Sequence, residues 1–289
     1  MTPYRGRFAP SPTGPLHAGS LATALASWLD ARAANGVWII RIEDLDPPRT
    51  VAGAAEQIVE TLARCGLESD EPVVFQSKRA PLYEAAFAKL QSLGLVYGCT
   101  CSRKDIEDVV SAQSGRLVGV YPGTCASGAA LGKPLRAHRV RAPDEQLGFA
   151  DRAGGSFSHN LKHGVGDFVI RRADGLFAYQ LAVVVDDAEQ GITDVVRGAD
   201  LLDNTPRQIF LQRALGLPTP RYLHVPLVFS ATGDKLSKQT GATAINVQEP
   251  IEALHAAAHH LGLGVIHAAS VDEFLRRAIG RWRDMAPDG

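Results

Sequence analysis

The chain has 289 residues, 45% hydrophobic and 21% charged, with 30 Lys and Arg against 31 Asp and Glu for a formal net charge of −1. That composition excludes a disordered chain, and the near-zero charge excludes a protein that holds nucleic acid by its overall field, so any RNA must meet a local basic patch. No apolar run reaches the ~18–20 residues that span a bilayer. The N-terminal MTPYRGRFAP has no apolar signal core, so no membrane partner and a cytoplasmic location are expected.

The length allows one large domain or two modest ones. Tyr4 to Ala9 predicts a short strand, followed by the loop PSPTGPLHAG. Ser20 to Asn35 predicts a helix with Leu21, Leu25, Trp28 and Leu29 on one face and Gly36 at its end. VWIIRIE (Val37 to Glu43) reads as a strand buried on both sides. After the turn DPPR, helices are expected over Val51 to Cys65, closed by Gly66, and over Tyr83 to Leu93, closed by Gly94. Strands separated by helices imply an α/β fold with a Rossmann-like parallel sheet. Beyond Tyr97 the pattern becomes irregular, and residues 98–175 read as an insertion. FAYQLAVVVDD (Phe177 to Asp187) reads as a resumed long apolar strand, and the tail from about Ile251 as helical.

Two loops carry chemistry. RFAPSPTGPLHAGS joins the first strand to the first helix, and ligands bind at the carboxyl ends of strands in open parallel sheets. Gly14 and Gly19 let the backbone approach a ligand, the helix start suits phosphate, and His17 is placed to donate to a phosphate oxygen. An ordinary strand-to-helix turn is the competing reading. DKLSKQTG (Asp234 to Gly241) sets Lys235 and Lys238 three residues apart, able to neutralise charge building on a triphosphate. A solvated surface loop competes with that.

Together the loops resemble the signatures of class I aminoacyl-tRNA synthetases. RFAPSPTGPLHAG is similar to the glutamyl and glutaminyl form of their first signature, and KLSKQ to their second. RIED (Arg41 to Asp44) and VVDDAEQGITDVVRGADLL (Val184 to Leu202) match in order and spacing, so the resemblance runs from about Arg5 to Gln239. One departure is Ser20, where the family often carries a second polar residue or His.

The resemblance implies an amino-acid pocket lined by Arg7, Ala9, Ser11, Tyr179 and Arg197, with Glu43 accepting from the substrate's α-ammonium. Residue chemistry agrees with glutamate, since arginine forks hold carboxylates and Arg5, Arg7, Arg41 and Arg197 are available. Glutamine is the competing substrate, and a strand-end ion pair with Arg41 or Arg49 the competing role for Glu43. ATP is expected at His17, Gly19, Lys235 and Lys238, with His17 and Lys238 touching the transition state and Mg²⁺ accompanying the triphosphate.

Of four cysteines, Cys65 shares a helix face with Ile58 and Leu62 and is expected in the core, whereas Cys99, Cys101 and Cys125 form a cluster suited to structural Zn²⁺. The resemblance offers Tyr121 as fourth ligand, with His138, His159 or water as alternatives. Three unliganded thiols are the competing reading.

About fifty residues follow KLSKQ, where ordinary glutamyl-tRNA synthetases continue into an anticodon-reading domain. With the YPGTC segment, this resembles the glutamyl-Q tRNA(Asp) synthetases and implies transfer of glutamate to the queuosine base in the anticodon loop of tRNA(Asp). The organisation expected is a catalytic core over 1–97 and 176–240, a zinc-bearing inserted subdomain over 98–175, and a helical remnant over 241–289 without an anticodon-binding domain. Ordinary charging of a 3′ end, or a glutamate ligase acting on a small-molecule acceptor, are the alternatives. Lys133, Arg136, Arg139 and Arg141, with Arg276, Arg277, Arg281 and Arg283, are candidate RNA phosphate contacts.

Overall fold

The computed structural model describes residues 3–112, 120–228, 244–246 and 248–285. The first half alternates strand and helix: β1 (Arg5–Phe8), α1 (Ala18–Ala33), β2 (Val37–Ile42), α2 (Ala54–Arg64), β3 (Val74–Phe75) and α3 (Ala80–Ser92). Next come β4 (Val96–Cys99), α4 (Arg103–Ala112), β5 (Ala137–Val140), β6 (Gln146–Asp151), β7 (Gly155–Asn160), the single turn α5 (Leu161–Gly164) and β8 (Phe168–Arg172). The chain then forms α6 (Tyr179–Glu189), β9 (Asp194–Gly198), α7 (Thr205–Leu215), β10 (Arg221–Val225), α8 (Pro250–His260) and α9 (Val271–Met285).

Seven strands form the main sheet in the order β3-β2-β1-β9-β10-β6-β7. All neighbours are parallel except the β6–β7 hairpin. Both faces are covered, giving the Rossmann-like α/β arrangement. Strand alternation makes this work. Trp38, Ile40 and Ile42 of β2 pack with α1, α2, α8 and α9, whereas Ile39 packs with α3, α6 and α7. β10 divides alike, with Leu223 and Val225 on one side and Tyr222 on the other. A smaller antiparallel sheet, β4-β5-β8, lies within the irregular middle of the chain. That segment also gives the main sheet its edge hairpin.

Two local features tie the layers. Gly36 lets α1 turn back into β2, because a Cβ there would stand 2.5 Å from the Tyr4 carbonyl oxygen. The buried Asp30 carboxylate accepts from Tyr4 Oη (2.5 Å), both Arg152 Nη atoms (2.6 and 2.9 Å) and Trp282 Nε1 (3.0 Å). One side chain therefore joins the first strand, the edge hairpin and the tail helix α9.

The segment Phe177 to Asp187 corrects the sequence reading, since it is helical from Tyr179 onward and not a strand. Leu181 through Asp187 are all buried, with the sheet on one side and α3 and α7 on the other. A helix buried all round loses its amphipathic period and looks like an interior strand. Cys65 is buried against the α1 and α9 core as the sequence suggests. No helix among the described residues is long and apolar enough to cross a membrane.

Candidate active site

The parity that buries Ile39 and Tyr222 also aims three arginines toward α6. Arg7 on β1, Arg41 on β2 and Arg197 on β9 are all buried on that face. The C-terminal turns of α6 meet two of them with carboxylates. Asp187 Oδ1 accepts from Arg7 Nε at 3.0 Å and from Arg41 Nη2 at 2.8 Å. Asp186 takes Arg79 Nε at 2.6 Å, Gln76 Nε2 at 2.7 Å and Tyr83 Oη at 2.8 Å. Burial opposes ionisation of Asp187, but Arg7 and Arg41 outweigh it and hold its pKa below the usual carboxylate range.

Glu43 follows β2, with its backbone N–H on the Pro10 carbonyl at 2.9 Å, so the first loop and the strand end move together. Its side chain is 8% exposed and reaches Arg41 Nη2 only at 3.4 Å. Burial is the strongest influence on it and pushes its carboxyl up to about 7, against the pull of Arg41 and Arg7. Glu43, Ser11 and Tyr179 line one cavity of about 230 Å³, which also meets Gln76, Arg172 and Phe177.

Arg197 differs from the other two. Its Nε donates to His224 Nε2 (3.0 Å), Nη1 to Gln208 Oε1 (2.7 Å) and Tyr179 Oη (3.5 Å), and Nη2 to Thr205 Oγ1 (2.8 Å). Every one of these partners is neutral. Tyr179, the first residue of α6, carries a phenol pKa raised chiefly by burial. Ala9, at the end of β1, is half-buried between buried Phe8 and Pro10. Arg5 is drawn away from this region by a two-pronged pair with Glu71 at 2.7 and 2.6 Å.

The first loop ends on a capped helix. His17 is the N-cap of α1: its Nδ1 accepts from Ser20 N at 3.3 Å, and Ser20 Oγ accepts from His17 N at 3.0 Å. This reciprocal pair is a capping box with imidazole in place of the usual hydroxyl. With Nδ1 accepting, the neutral ring carries its proton on Nε2 and presents a donor there. Gly19 sits in the first turn, where helix N–H groups and dipole favour an anion. Lys235 and Lys238 lie outside the described residues, as does most of the loop around them.

The cysteine cluster is assembled by β4 and the loop before β5. The Cys99, Cys101 and Cys125 Sγ atoms all lie within 4.8 Å of one another and could hold a metal ion. Tyr121 Oη stands 3.3 Å from Cys99 Sγ and 3.6 Å from Cys101 Sγ, and Cys101 and Cys125 Sγ are 3.5 Å apart. A tetrahedral zinc ion would set sulfurs ~3.8 Å apart and a sulfur and an oxygen ~3.5 Å apart, so these four side chains fit one. Gly166, at φ 70°, lets a neighbouring turn touch this loop, since a Cβ there would meet the Tyr121 backbone at 2.9 Å. His138 packs edge-on against Phe87, and among the described residues neither it nor His159 belongs to the group of candidate ligands, which is the three cysteines.

The family description "tRNA synthetases class I (E and Q), catalytic domain" matches residues 4–257. A curated protein of Burkholderia mallei named glutamyl-Q tRNA(Asp) synthetase is 60% identical over 288 residues, covering 98% of this chain and 97% of its own. The chain belongs to the glutamyl-Q tRNA(Asp) synthetase family of class I tRNA synthetases. A Ralstonia nicotianae protein of the same name is 57% identical, with 97% of this chain and 91% of that one covered. Among solved structures, a glutamate tRNA ligase from Elizabethkingia meningosepticum, in complex with its amino acid, superposes with a TM-score of 0.78 at 26% identity. The chain spans 94% of itself but only 64% of that longer protein.

Within the glutamyl-Q tRNA(Asp) synthetase family the motif positions fall together here: Ser11, Glu43 and Tyr179 share a cavity, and Arg197 reaches Tyr179. Sequence reasoning missed Asp187, His224, Asp151 and the capping role of Ser20. Only the paired DD of VVDDAEQ, and a His at a buried position of RYLHV, hinted at them. Some basic residues are engaged within the fold. Arg139 is buried, stacks on the Tyr121 ring at 3.7 Å and donates to the Asp167 carbonyl at 2.9 Å. Arg283 donates to the Ala33 carbonyl at the end of α1, at 3.0 Å, and Arg277 pairs with Glu273 at 2.6 Å. Arg276 and Arg281 reach the Asp272 and Leu263 carbonyls, each at 3.4 Å. Arg141 stacks on Tyr97 at 4.6 Å, and Lys133 and Arg136 are exposed.

Proposed function

We propose that this chain activates L-glutamate with ATP and passes the glutamyl group to the queuosine base in the anticodon loop of tRNA(Asp). The observation that carries the amino-acid assignment is Arg197: a buried cation whose hydrogen-bond partners among the described residues are all neutral, one of them Tyr179, which lines a cavity with Glu43. A buried charge is costly until an opposite charge meets it. The side-chain carboxylate of glutamate supplies that charge, and the amide of glutamine does not. Arg7, whose charge Asp187 already balances in part, guides the α-carboxylate, and Glu43 accepts from the α-ammonium. Ala9 and Ser11 form the wall between them.

In the first step an oxygen of the glutamate α-carboxylate attacks the α-phosphorus of ATP. The bond to the bridging oxygen breaks and pyrophosphate leaves. His17 Nε2 and the N-terminal N–H groups of α1 by Gly19 receive phosphate oxygens, and Lys238 with Lys235 neutralises the departing pyrophosphate. The protein thereby positions reactants and stabilises charge without a covalent intermediate of its own. In the second step a hydroxyl of the queuosine cyclopentene-diol attacks the adenylate carbonyl, loses its proton and expels AMP. The acceptor assignment is supported by the names of relatives that match the chain almost end to end.

Mg²⁺ accompanies the triphosphate and screens its charge. Cys99, Cys101, Cys125 and Tyr121 hold one Zn²⁺, which fixes the fold of the loop between β4 and β5. The proposed division is a catalytic core over 1–97 and 176–240, an inserted subdomain over 98–175 and a helical tail over 241–289, in an enzyme of the cytoplasm. ATP–pyrophosphate exchange driven by glutamate, with and without tRNA, tests the activation step. Wild-type exchange that falls at least a hundredfold in both Arg197→Gln and Glu43→Gln supports it. Exchange driven equally well by glutamine overturns it.

A further inference from the structure

Arg197 is held through a relay that spans three adjacent strands. His224 on β10 is the register partner of Arg197 on β9, and Asp151 ends β6, the next strand over. Asp151 Oδ2 lies 2.5 Å from His224 Nδ1, and His224 Nε2 accepts from Arg197 Nε at 3.0 Å. Asp151 is itself fixed by three backbone donors: Ala153 N at 3.0 Å, Gly154 N at 3.1 Å and His224 N at 3.1 Å. All three side chains are buried.

The order of donors and acceptors matters. An arginine has no acceptor, so His224 Nε2 must offer a lone pair, and the ring's proton must then sit on Nδ1. Asp151 accepts from Nδ1 and so fixes that tautomer. Burial lowers the His224 pKa, and the neighbouring guanidinium lowers it further, against the pull of Asp151. The ring therefore stays neutral beside the guanidinium. A carboxylate at position 224 would hold Arg197 equally firmly but would also neutralise it, as Asp187 does for Arg7 and Arg41. Arg197 has no such ion pair among the described residues. Asp151 lies one imidazole away, close enough to soften the cost of a buried cation and too far to form the two-pronged pair that a substrate carboxylate would make.

We propose that Asp151 and His224 are positioning residues that set amino-acid selectivity: they fix the Arg197 guanidinium through a neutral acceptor and so leave its charge for the side-chain carboxylate of the substrate. This rests on the reading that Arg197 receives that carboxylate.

The test is the exchange reaction of the full chain at pH 8, read as KM and kcat for glutamate and as the inhibition constant of glutamine. Asp151→Asn turns an N–H₂ toward Nδ1 and moves the ring proton to Nε2, against Arg197 Nε–H. The expected result is a glutamate KM raised about tenfold, kcat within about twofold of wild type, and an unchanged glutamine constant. His224→Met, of similar volume but with no imidazole acceptor, should act the same way. His224→Gln, whose amide oxygen can accept from Arg197, should restore most of the loss. If both non-accepting variants weaken glutamate and glutamine alike, or weaken neither, the selectivity role is overturned. Arg197→Gln separates the two readings. If it leaves glutamate KM unchanged, the carboxylate assignment itself fails; if it raises KM while Asp151→Asn and His224→Met do not, only the relay fails.

Discussion

Glu43 is a carboxylate that the fold makes costly to ionise. Its pKa rises from 4.5 unfolded to about 7 folded, because burial outweighs Arg41 and Arg7. The sign of the linkage follows: Glu43 favours the folded state fully below pH 4.5, and this contribution is lost as pH rises through about 7. Glu43→Gln should therefore stabilise the unliganded protein at pH 8, by on the order of 2 kcal/mol, and add little at pH 4, as read by urea unfolding at the two pH values. The same substitution should remove glutamate activation. An ammonium bound at Glu43 lowers its pKa again, so glutamate binding at pH 6.5 should release a proton, measurable as buffer-dependent heat, and weaken as pH falls below about 7. Glu43, Arg7 and Arg197 were proposed from the sequence because each lies in a motif, and Tyr179 because the resemblance supplied it. Asp187, His224 and Asp151 were not, because their roles come from strand register and from partners as far as 180 residues away.

At the scale of elements, α1 and the cysteine loop each carry a test. The Ser20 hydroxyl closes the capping box on His17. Ser20→Ala should cost about 1 kcal/mol of stability, because the His17 backbone N–H loses its acceptor, and should leave the KM for ATP near wild type, because the imidazole Nδ1 is held by the Ser20 backbone N–H. Equal stability of mutant and wild type in thermal unfolding would contradict that. The cysteine loop should carry one zinc per chain by elemental analysis, and Cys125→Ser should lower both metal content and melting temperature. Helices α1, α2 and α3 were readable from periodicity and closing glycines, but α6 was not. Its buried interior of Leu181, Ala182, Val183, Val184 and Val185 lacks a polar face. Eleven residues is long for a strand. The length of that run was the better guide, and the error matters because α6 is what carries Tyr179 and Asp187 into the site.

Over the whole molecule, one doubly covered sheet brings the proposed chemistry to the carboxyl ends of β1, β2 and β9. Asp30 clamps this sheet to the tail: burial disfavours its ionisation, but Arg152 outweighs burial and holds its pKa below the usual carboxylate range. Stability from Asp30 is therefore present at neutral pH and is lost as pH falls through its lowered folded pKa. Asp30→Ala leaves Arg152 with the more distant Asp194 carboxylate at 3.6 Å and should cost about 3 kcal/mol, visible as a large loss of melting temperature at pH 7. The proposed acceptor is the queuosine base of the anticodon loop. The direct measurement is transfer of labelled glutamate, with ATP, to tRNA(Asp) that carries or lacks queuosine and has had its 3′ adenosine removed. Transfer to queuosine puts label on the queuosine-containing RNA despite the missing 3′ end, and none on the unmodified RNA. Label that requires an intact 3′ adenosine and ignores queuosine would contradict it.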